Sequence, residues 1–431
     1  MRVIPAFLGI SLILCSSASL AVPTSAVPAA VKGLPSQAAL MTGGRHALAA
    51  GRFESLVEAS EYYATLAELG WAAVDAGPSL SPGQRHPQIG TLRTLLSLYG
   101  DYQPSATVPQ FGAGQRRGTA EARLTLFDEA LAEALRNFQR RHGLSADAVL
   151  GPKTRLALNV SPRVRSYQLL LNHERQLALR KRVPKQYVQV NLPEFRLRLY
   201  QQGQSVLEMK TIVGRKSRRT PVFDSQIRSL IVNPGWNVPR SIAYKDILPK
   251  WKQDADYLGQ HNMRIVAGFG SNKVWIDEAE ADPEQLYRGR AYPRLYQLPG
   301  SRNALGRIKF DSPNASAIYL HDTPVKSLFN KFQRTFSSGC VRVENPRLLA
   351  RYLLGAQAMK RTLDDLLAGS TTQRVRLQDP VGLYLTYWTA WIDSRQGVQF
   401  RDDIYQLDQR PQDLTELTQV SAGERGHGNG S

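Results

Sequence analysis

The sequence predicts an α+β protein of several domains, in which helical segments precede a mostly β region. Before residue 185, apolar residues recur at the three- and four-residue spacing of amphipathic helices. From residue 186 onward, apolar and polar residues alternate in short runs separated by turn residues, which is typical of strands. The 431 residues contain enough material for the cores of two or three domains.

The first residues predict export. A basic start is followed by an apolar run that ends at Leu14, too short to span a bilayer, and then by small residues up to Ala21. This pattern indicates a secretory signal peptide over residues 1–21. Acylation of Cys15, as in a lipoprotein, is the alternative, but bulky Leu14 stands where such sites need a small residue. We expect no transmembrane segment in the mature protein, because no other apolar run approaches the required length.

The charge is strongly positive. The chain has 55 Lys and Arg against 36 Asp and Glu, a net charge of +19. In an exported protein this excess favours anionic envelope polymers or membrane surfaces as partners, and not nucleic acid. The basic residues are scattered rather than clustered, so a solvated, soluble surface explains them equally well.

Residues 22–85 are predicted to hold a Pro/Ala/Ser-rich leader, one amphipathic helix and a turn-rich linker. The linker is the segment DAGPSLSPGQRHPQ. The helix is expected within GRFESLVEASEYYATLAELGWAAV, where apolar residues recur at near-helical spacing: Leu56, Ala59, Tyr63, Leu66 and Leu69.

Residues 86–160 are predicted to form a small helical module, followed by a linker helix over 161–185. Gly143 should end one helix, and Pro152 should lie in the first turn of the next. The spacing of Phe138-Gln139, Gly143-Leu144, Asp147 and Gly151–Thr154 resembles the three-helix peptidoglycan-binding module of cell-wall enzymes. A plain helical spacer would show much the same pattern.

Residues 186–372 are predicted to form the main β domain. Phe195, Leu197 and Leu199 are expected on one face of a hairpin that turns at Gln202-Gly203. Further strands are expected in IRSLIV, GRIKF and AIYLH. After this domain the chain should form one more hairpin, over 373–408, with an Arg-Gln-Gly turn. A polar, Gly-rich and disordered tail should follow over 409–431.

An insertion of nearly sixty residues, about 244–300, separates segments that look adjacent in one β-core. A connection this long is unusual unless it has a function or is disordered, and its many aromatic residues argue against disorder. It is either a lid over the site described next or a satellite subdomain that only stabilises the fold.

The segment HDTPVKSLFNKFQRTFSSGCVRVENP, residues 321–346, can assemble a reactive thiol. A cysteine attacks as thiolate and therefore needs a neighbouring base. The strand AIYLH ends at His321, a short helix is expected in KSLFNKF after Thr323-Pro324, and the chain then returns to Cys340. This path can bring His321 and Cys340 face to face.

The residues around the cysteine suit this chemistry. Ser337, Ser338 and Gly339 leave nearby backbone N–H groups unobstructed, as an oxyanion hole requires. Arg342 should face the same side as Cys340 and can hold a carboxylate. The alternative, a buried structural thiol, fits poorly with these polar neighbours. No H-E-x-x-H or C-x-x-C occurs in the sequence, so neither a metal nor another cofactor is expected.

The same segment closely resembles the signature of the L,D-transpeptidase family, whose catalytic region is the YkuD domain. The resemblance extends over roughly residues 70–408. Its segments follow in the order of the large multidomain branch of the family: VNLPEFRLRLY, TIVGRKSRRTPVF, NPGWNVPRSIA, NALGRIKF, YLHDTP and YLTYWTAWID.

The resemblance implies a periplasmic enzyme of a Gram-negative-type envelope that cross-links peptidoglycan stem peptides and is a target of carbapenems. A cysteine thioester forms with release of the terminal D-alanine of a tetrapeptide stem, and an amine of a second stem resolves it. Envelope proteins are further acceptors to consider. An L,D-carboxypeptidase or hydrolase that uses water as acceptor, and a non-catalytic wall-anchoring protein, remain the alternatives.

The resemblance also implies roles for single residues. Cys340 is the nucleophile, His321 the general base and acid, and the main-chain carbonyl of Asp322 orients the histidine. The N–H groups of Gly339 and Cys340 form the oxyanion hole. The substrate pocket is lined by Arg342, Ser338, Ser337, Tyr319 and Trp236.

Two features depart from the family pattern. Many members carry His where this chain has Ser338, which cannot supply a second imidazole. The region before the helical module is also shorter than the scaffold domain of the large members, so that residues 22–85 are expected to hold only a reduced scaffold.

Overall fold

The computed structural model describes residues 53–68, 71–103, 124–268, 272–289, 292–355 and 363–408. These residues all belong to one compact unit, His46–Ser431. The predicted signal peptide, Cys15, most of the leader and the predicted tail lie outside the described residues.

Five helices form the described part of the N-terminal region: α1 (Leu56–Glu68), α2 (Gln88–Leu98), α3 (Glu129–Arg141), α4 (Pro152–Leu158) and α5 (Pro162–Arg180). Helix α3 begins at Asp128, whose carboxylate accepts a hydrogen bond from Leu131 N, and it ends before Gly143, whose φ of +61° favours glycine. Pro152 lies in the first turn of α4, as predicted. None of the helices in the described residues is long and apolar enough to cross a membrane.

The helices share one hydrophobic core, to which the predicted turn-rich linker also contributes. Leu80 of that linker and Val74 just before it are buried in the core, and Leu80 forms a β-bridge with Leu150. The core also takes in Ala390, Val398 and Phe400 from the end of the described chain. The linker and the C-terminal residues therefore belong to the helical module structurally.

Fifteen strands follow in the described residues. They are β1 (Gln186–Asn191), β2 (Arg196–Gln201), β3 (Gln204–Gly214), β4 (Phe223–Val232), β5 (Trp236–Asn237), β6 (Met263–Ala267), β7 (Val274–Ile276), β8 (Arg294–Gln297), β9 (Ile308–Asp311), β10 (Leu320–His321), β11 (Thr335–Ser337), β12 (Val341–Val343), β13 (Gln373–Thr386), β14 (Ala390–Asp393) and β15 (Gly397–Phe400).

Nine of these strands form the main sheet, in the order β11-β3-β12-β10-β9-β4-β13-β1-β2. Because β2 also pairs with β3, the sheet closes on itself. The apolar side chains of its strands pack with helices α9 (Pro346–Leu354) and α10 (Leu363–Ala368) into a second core. The predicted α+β class, with a helical module before a mostly β domain, is confirmed.

The C-terminal prediction was wrong in part. The segment VGLYLT is not the first strand of a hairpin but the second half of β13, which lies inside the main sheet between β4 and β1. The hairpin is the shorter pair β14 and β15. A local pattern does not reveal such placement, since the partners of β13 lie more than 140 residues earlier in the chain.

Two local predictions also fail. KSLFNKF forms a 3₁₀ turn at Lys326–Asn330 instead of an α-helix, and Phe332 beyond it is half exposed. Phe195 does not lie in a strand: it occupies the turn between β1 and β2 with φ of +57°, while Leu197 and Leu199 point into the core as expected. The predicted Gln202-Gly203 turn is present, with positive φ at both residues.

The described residues of the insertion fold as a subdomain together with strand β5, which precedes it. Strands β5, β8, β6 and β7 form a separate four-stranded sheet in that order. Short helices α6 (Arg240–Ile242), α7 (Leu248–Trp251) and α8 (Tyr257–Gln260) pack against it around a third hydrophobic core. A π-helical turn, Ala243–Ile247, joins α6 to α7.

Candidate active site

Two neighbouring strands bring the predicted histidine and cysteine together. Strand β10 pairs in parallel with β12, so that His321 lies opposite Arg342, and Val341 N donates to Tyr319 O at 3.1 Å. The alternate residues Leu320 and Val341 are buried in the core. The opposite face of the sheet therefore carries four polar or reactive side chains: Tyr319, His321, Cys340 and Arg342.

The His321 ring is buried and held in one orientation. Its Nδ1 lies 2.5 Å from the carbonyl oxygen of Asp322, which leaves Nε2 for the cysteine side. Burial, and then the charge of Arg342, lower the pKa of His321 from 6.5 to about 3. The hydrogen bond to Asp322 acts in the opposite sense but is outweighed. The imidazole is therefore neutral at pH 7.

Asp322 is fixed by its own side chain. The carboxylate accepts hydrogen bonds from Arg307 N at 2.8 Å, Thr323 N at 2.7 Å and Lys326 Nζ at 2.6 Å. Gly306 makes room for it: with φ of +62°, a Cβ there would lie 2.4 Å from the Asp322 side chain. The carbonyl that contacts His321 thus has a rigid support.

The Cys340 thiol is partly buried beside Tyr319. Burial raises the pKa of the thiol above 9.0, although hydrogen bonding from Tyr319 and the charges of Lys309 and Arg342 lower it. The sulfur lies 4.0 Å from the carbonyl oxygen of Ala317. The Cys340 thiol and the His321 imidazole are therefore both neutral at pH 7 in the free protein.

The loop before Cys340 differs from the sequence-based expectation in one respect. Gly339 adopts φ of +121°, which a side chain would strain. Its N–H is not unobstructed, since it donates to Ser337 Oγ at 3.1 Å, and the Ser337 hydroxyl donates in turn to Cys340 O at 2.6 Å. Ser337 thus shapes the loop from a buried position. The neighbouring Ser338 accepts a hydrogen bond from Arg218 Nη1 at 2.8 Å.

The remaining predicted residues lie near Tyr319 and Cys340. Trp236, in strand β5 just before the insertion, interacts with the Tyr319 side chain, and Tyr319 in turn interacts with Cys340. Arg342 is partly buried, and its Nε has no hydrogen-bond partner among the described residues. Burial lowers the pKa of Arg342, and the charge of Arg215 lowers it further.

The sequence did not single out Lys309 and Arg218. Lys309 Nζ lies 4.0 Å from the centroid of the Tyr319 ring. The alternation of polar and apolar residues in GRIKF could have indicated Lys309, because it places this residue on the face of the strand that points away from the core. No local signal marks Arg218. No cluster of three or more metal-ligating side chains occurs in the described ranges.

A thiol, an imidazole held by a carbonyl, and surrounding cations are a set of groups that can transfer an acyl group through a thioester. Residues 185–372 match the YkuD family, described as the L,D-transpeptidase catalytic domain. Residues 85–158 match the family described as "Putative peptidoglycan binding domain". The chain thus contains a region that is similar to L,D-transpeptidase catalytic domains of the YkuD family, and the region before it is similar to peptidoglycan-binding modules.

A curated relative from Haemophilus influenzae, named "Putative L,D-transpeptidase", is 41% identical over 224 residues. The alignment covers 51% of this chain and 44% of the relative, so this chain spans less than half the length of that protein.

Solved structures also match. An L,D-transpeptidase from Mycobacterium smegmatis aligns with a TM-score of 0.24 and 8% identity, over 47% of this chain and 58% of the other. One from Stackebrandtia nassauensis aligns with a TM-score of 0.25 and 14% identity, over 74% and 97%. Scores this low add nothing to the family match.

Proposed function

We propose that this chain is an exported L,D-transpeptidase that cross-links peptidoglycan stem peptides through a thioester on Cys340. The observation that carries the proposal is the parallel pairing of β10 with β12, which puts His321 opposite Arg342 and Cys340 directly before the paired strand, in a region that matches the YkuD family. The match to a peptidoglycan-binding module supports the same substrate.

The first half of the reaction is acylation. The sulfur of Cys340 attacks the carbonyl of the diamino acid in a tetrapeptide stem while His321 Nε2 takes the thiol proton. The bond to the terminal D-alanine breaks, and the imidazolium returns the proton to the leaving amine. In the second half, an amine of another stem attacks the thioester and loses a proton to His321. The sulfur leaves and regains a proton, which regenerates the thiol.

The charges around the site suit this sequence of steps. Proton transfer must accompany attack, because the free pair is neutral. Lys309 and Arg342 stabilise the anions that form, the thiolate and the tetrahedral oxyanion, since both groups already lower the pKa of the thiol. Arg342, which lies opposite His321 on the neighbouring strand, is suited to bind a substrate carboxylate through its guanidinium. Asp322 O stabilises the transient imidazolium through Nδ1.

The oxyanion hole rests mainly on the Cys340 N–H. The sequence analysis predicts the N–H of Gly339 as a second oxyanion donor, but this N–H already donates a hydrogen bond to Ser337 Oγ. Ser337 therefore acts as a support for the loop, and the Gly339 N–H can serve the oxyanion only if it is shared. Tyr319 and Trp236 form the wall of the pocket beside the sulfur.

The insertion is proposed to act as a lid that excludes water and so favours an amine over water as acceptor. It has its own sheet and core, and Asp246 within it pairs with Arg218 beside Ser338. Trp236 of strand β5, which precedes the insertion and joins its sheet, contacts Tyr319. A satellite subdomain with a purely stabilising role would not need either contact.

The enzyme is proposed to work in the periplasm after removal of residues 1–21. Loss of Arg2 with these residues reduces the net charge of +19 to +18 (19 − 1), and this excess of positive charge favours the anionic wall polymer. Peptidoglycan stems are the donor, and envelope proteins that expose an amine are a second class of acceptor.

Incubation of the purified protein with disaccharide-tetrapeptide tests the proposal. Mass spectrometry should detect the cross-linked dimer and free D-alanine, and neither should form with Cys340→Ala. Tripeptide without dimer would identify a carboxypeptidase instead. Absence of any product, with binding to peptidoglycan retained, would identify a wall-anchoring protein.

A further inference from the structure

The segment between β3 and β4, residues 215–222, supports the loop before Cys340 at three consecutive residues. Each hydrogen bond has its donor in this segment: Arg215 N to Ser337 O at 3.0 Å, Arg218 Nη1 to Ser338 Oγ at 2.8 Å, and Thr220 Oγ1 to Gly339 O at 2.7 Å. The two outer bonds hold backbone carbonyls of the loop. The central bond joins two side chains.

Arg218 differs from the other two donors because it also contacts the insertion. Its guanidinium donates to both carboxylate oxygens of Asp246, with Nη2 at 3.2 Å from Oδ1. Asp246 lies in the π-helical turn Ala243–Ile247, at the root of the insertion. Both side chains are largely shielded from water, with 15% and 35% of their surfaces exposed. One guanidinium therefore joins the insertion to the residue that precedes Gly339.

The geometry explains why an arginine is used. A guanidinium bound by both oxygens of a carboxylate is fixed in its plane, so the second N–H of Nη1 is directed at Ser338 with little freedom. A change at Ser338 is passed directly to the backbone of Gly339 and Cys340, which supply the candidate oxyanion donors.

We propose that Arg218 is a positioning residue: held by Asp246, it fixes Ser338 so that the N–H of Cys340 points at the reacting carbonyl. This positioning role rests on the proposed function, because it assumes that the reaction is acyl transfer at Cys340. The insertion then affects the chemistry through this contact as well as by covering the site.

Two reactions of the Cys340 sulfur distinguish a loss of loop positioning from a general loss of the site's structure. Acylation by an activated ester builds an oxyanion and needs the loop donor, whereas alkylation by iodoacetamide displaces iodide at a saturated carbon and builds none. In the full chain, Arg218→Ala and Asp246→Asn should slow acylation by on the order of tenfold and leave alkylation within about twofold. Arg218→Lys should give an intermediate rate, because one ammonium cannot serve both partners as a fork does.

The control variant is Glu284→Gln, which breaks the exposed Lys252–Glu284 ion pair in the same insertion, and it should react like the wild type in both assays. A parallel fall in acylation and alkylation in Arg218→Ala would overturn the proposal, because it would indicate loss of the site as a whole. Unchanged acylation in Asp246→Asn would overturn it as well.

Hydrogen exchange tests the positioning role even if the proposed function is wrong. Amides of residues 337–341 should exchange faster in Arg218→Ala and Asp246→Asn than in the wild type, and not in Glu284→Gln. Equal exchange in all four proteins would refute the positioning role. If the wild type forms no acyl adduct with any ester, that result would count against the transpeptidase proposal. The hydrogen-exchange data would still decide whether Arg218 positions the loop before Cys340.

Discussion

Replacement of His321 by asparagine should change how the stability of the protein depends on pH. In the folded chain the imidazole is buried and its pKa is lowered to about 3, against an ordinary value of 6.5. Below pH 6.5 the unfolded chain therefore binds a proton that the folded chain does not bind. The free energy of unfolding should fall as the pH drops from 6.5 toward 3, and His321 should have no such effect above 6.5.

The size of the effect follows from the two pKa values. The interval between 6.5 and about 3 corresponds to at most about 5 kcal/mol of stability lost by pH 3. In His321→Asn this loss is absent, because asparagine does not titrate, while its amide can still donate to Asp322 O. The variant is expected to be less stable than the wild type near neutral pH and to approach it in acid.

Urea titrations from about pH 8 down to about pH 3.5, monitored by circular dichroism, measure this difference. His142, whose pKa is also lowered by burial, contributes equally to both proteins and cancels in the comparison. The two curves of stability against pH should converge below pH 6.5. Parallel curves over the whole range would show that His321 is not held neutral, and the account of the thiol–imidazole pair would then be wrong.

Further outcomes test the site and the insertion. Cys340→Ala should abolish turnover and Cys340→Ser should nearly do so, because a serine hydroxyl has far too high a pKa for this base; substantial product from the alanine variant would end the covalent mechanism. A carbapenem should add one adduct to the wild type in intact-mass spectra and none to Cys340→Ala, so equal labelling of both would contradict the assignment. Alkylation of Cys340 by iodoacetamide should still accelerate as the pH rises through 9, since burial raises the pKa of the thiol, and a rate that levels off below pH 8 would argue against it. Replacement of residues 250–296 by a short Gly/Ser linker should leave a core that still acylates but shift product from dimer toward tripeptide; an unchanged ratio in the folded variant would mean that the insertion is not a lid.

Local sequence patterns predicted those features of the fold that depend on interactions between residues close together in the chain. The helix end before Gly143, the first-turn proline Pro152 and the turn at Gln202-Gly203 all lie where the spacing of residue types required them. The alternation of Leu197 and Leu199 with polar neighbours likewise predicted side chains that enter the core. Each of these features depends on contacts within a few residues.

Features that depend on distant partners were missed. The 14 residues of β13 looked like part of a terminal hairpin, because nothing in their pattern tells an edge strand from one in the middle of a sheet. The 3₁₀ turn at Lys326–Asn330 replaced a predicted helix in a short segment, where packing outweighs weak helix preferences.

For the candidate site, the sequence by itself determined the chemistry available: one thiol, one histidine at the end of a strand, and the small residues between them. Only the tertiary structure decided the protonation states and the hydrogen-bond partners of these groups. It lowers the pKa of His321 by burial, engages the Gly339 N–H with Ser337, and ties Ser338 through Arg218 to Asp246. Protonation and hydrogen bonding depend on burial and on partners up to 120 residues apart in the chain, and those are set when the strands and the insertion pack together.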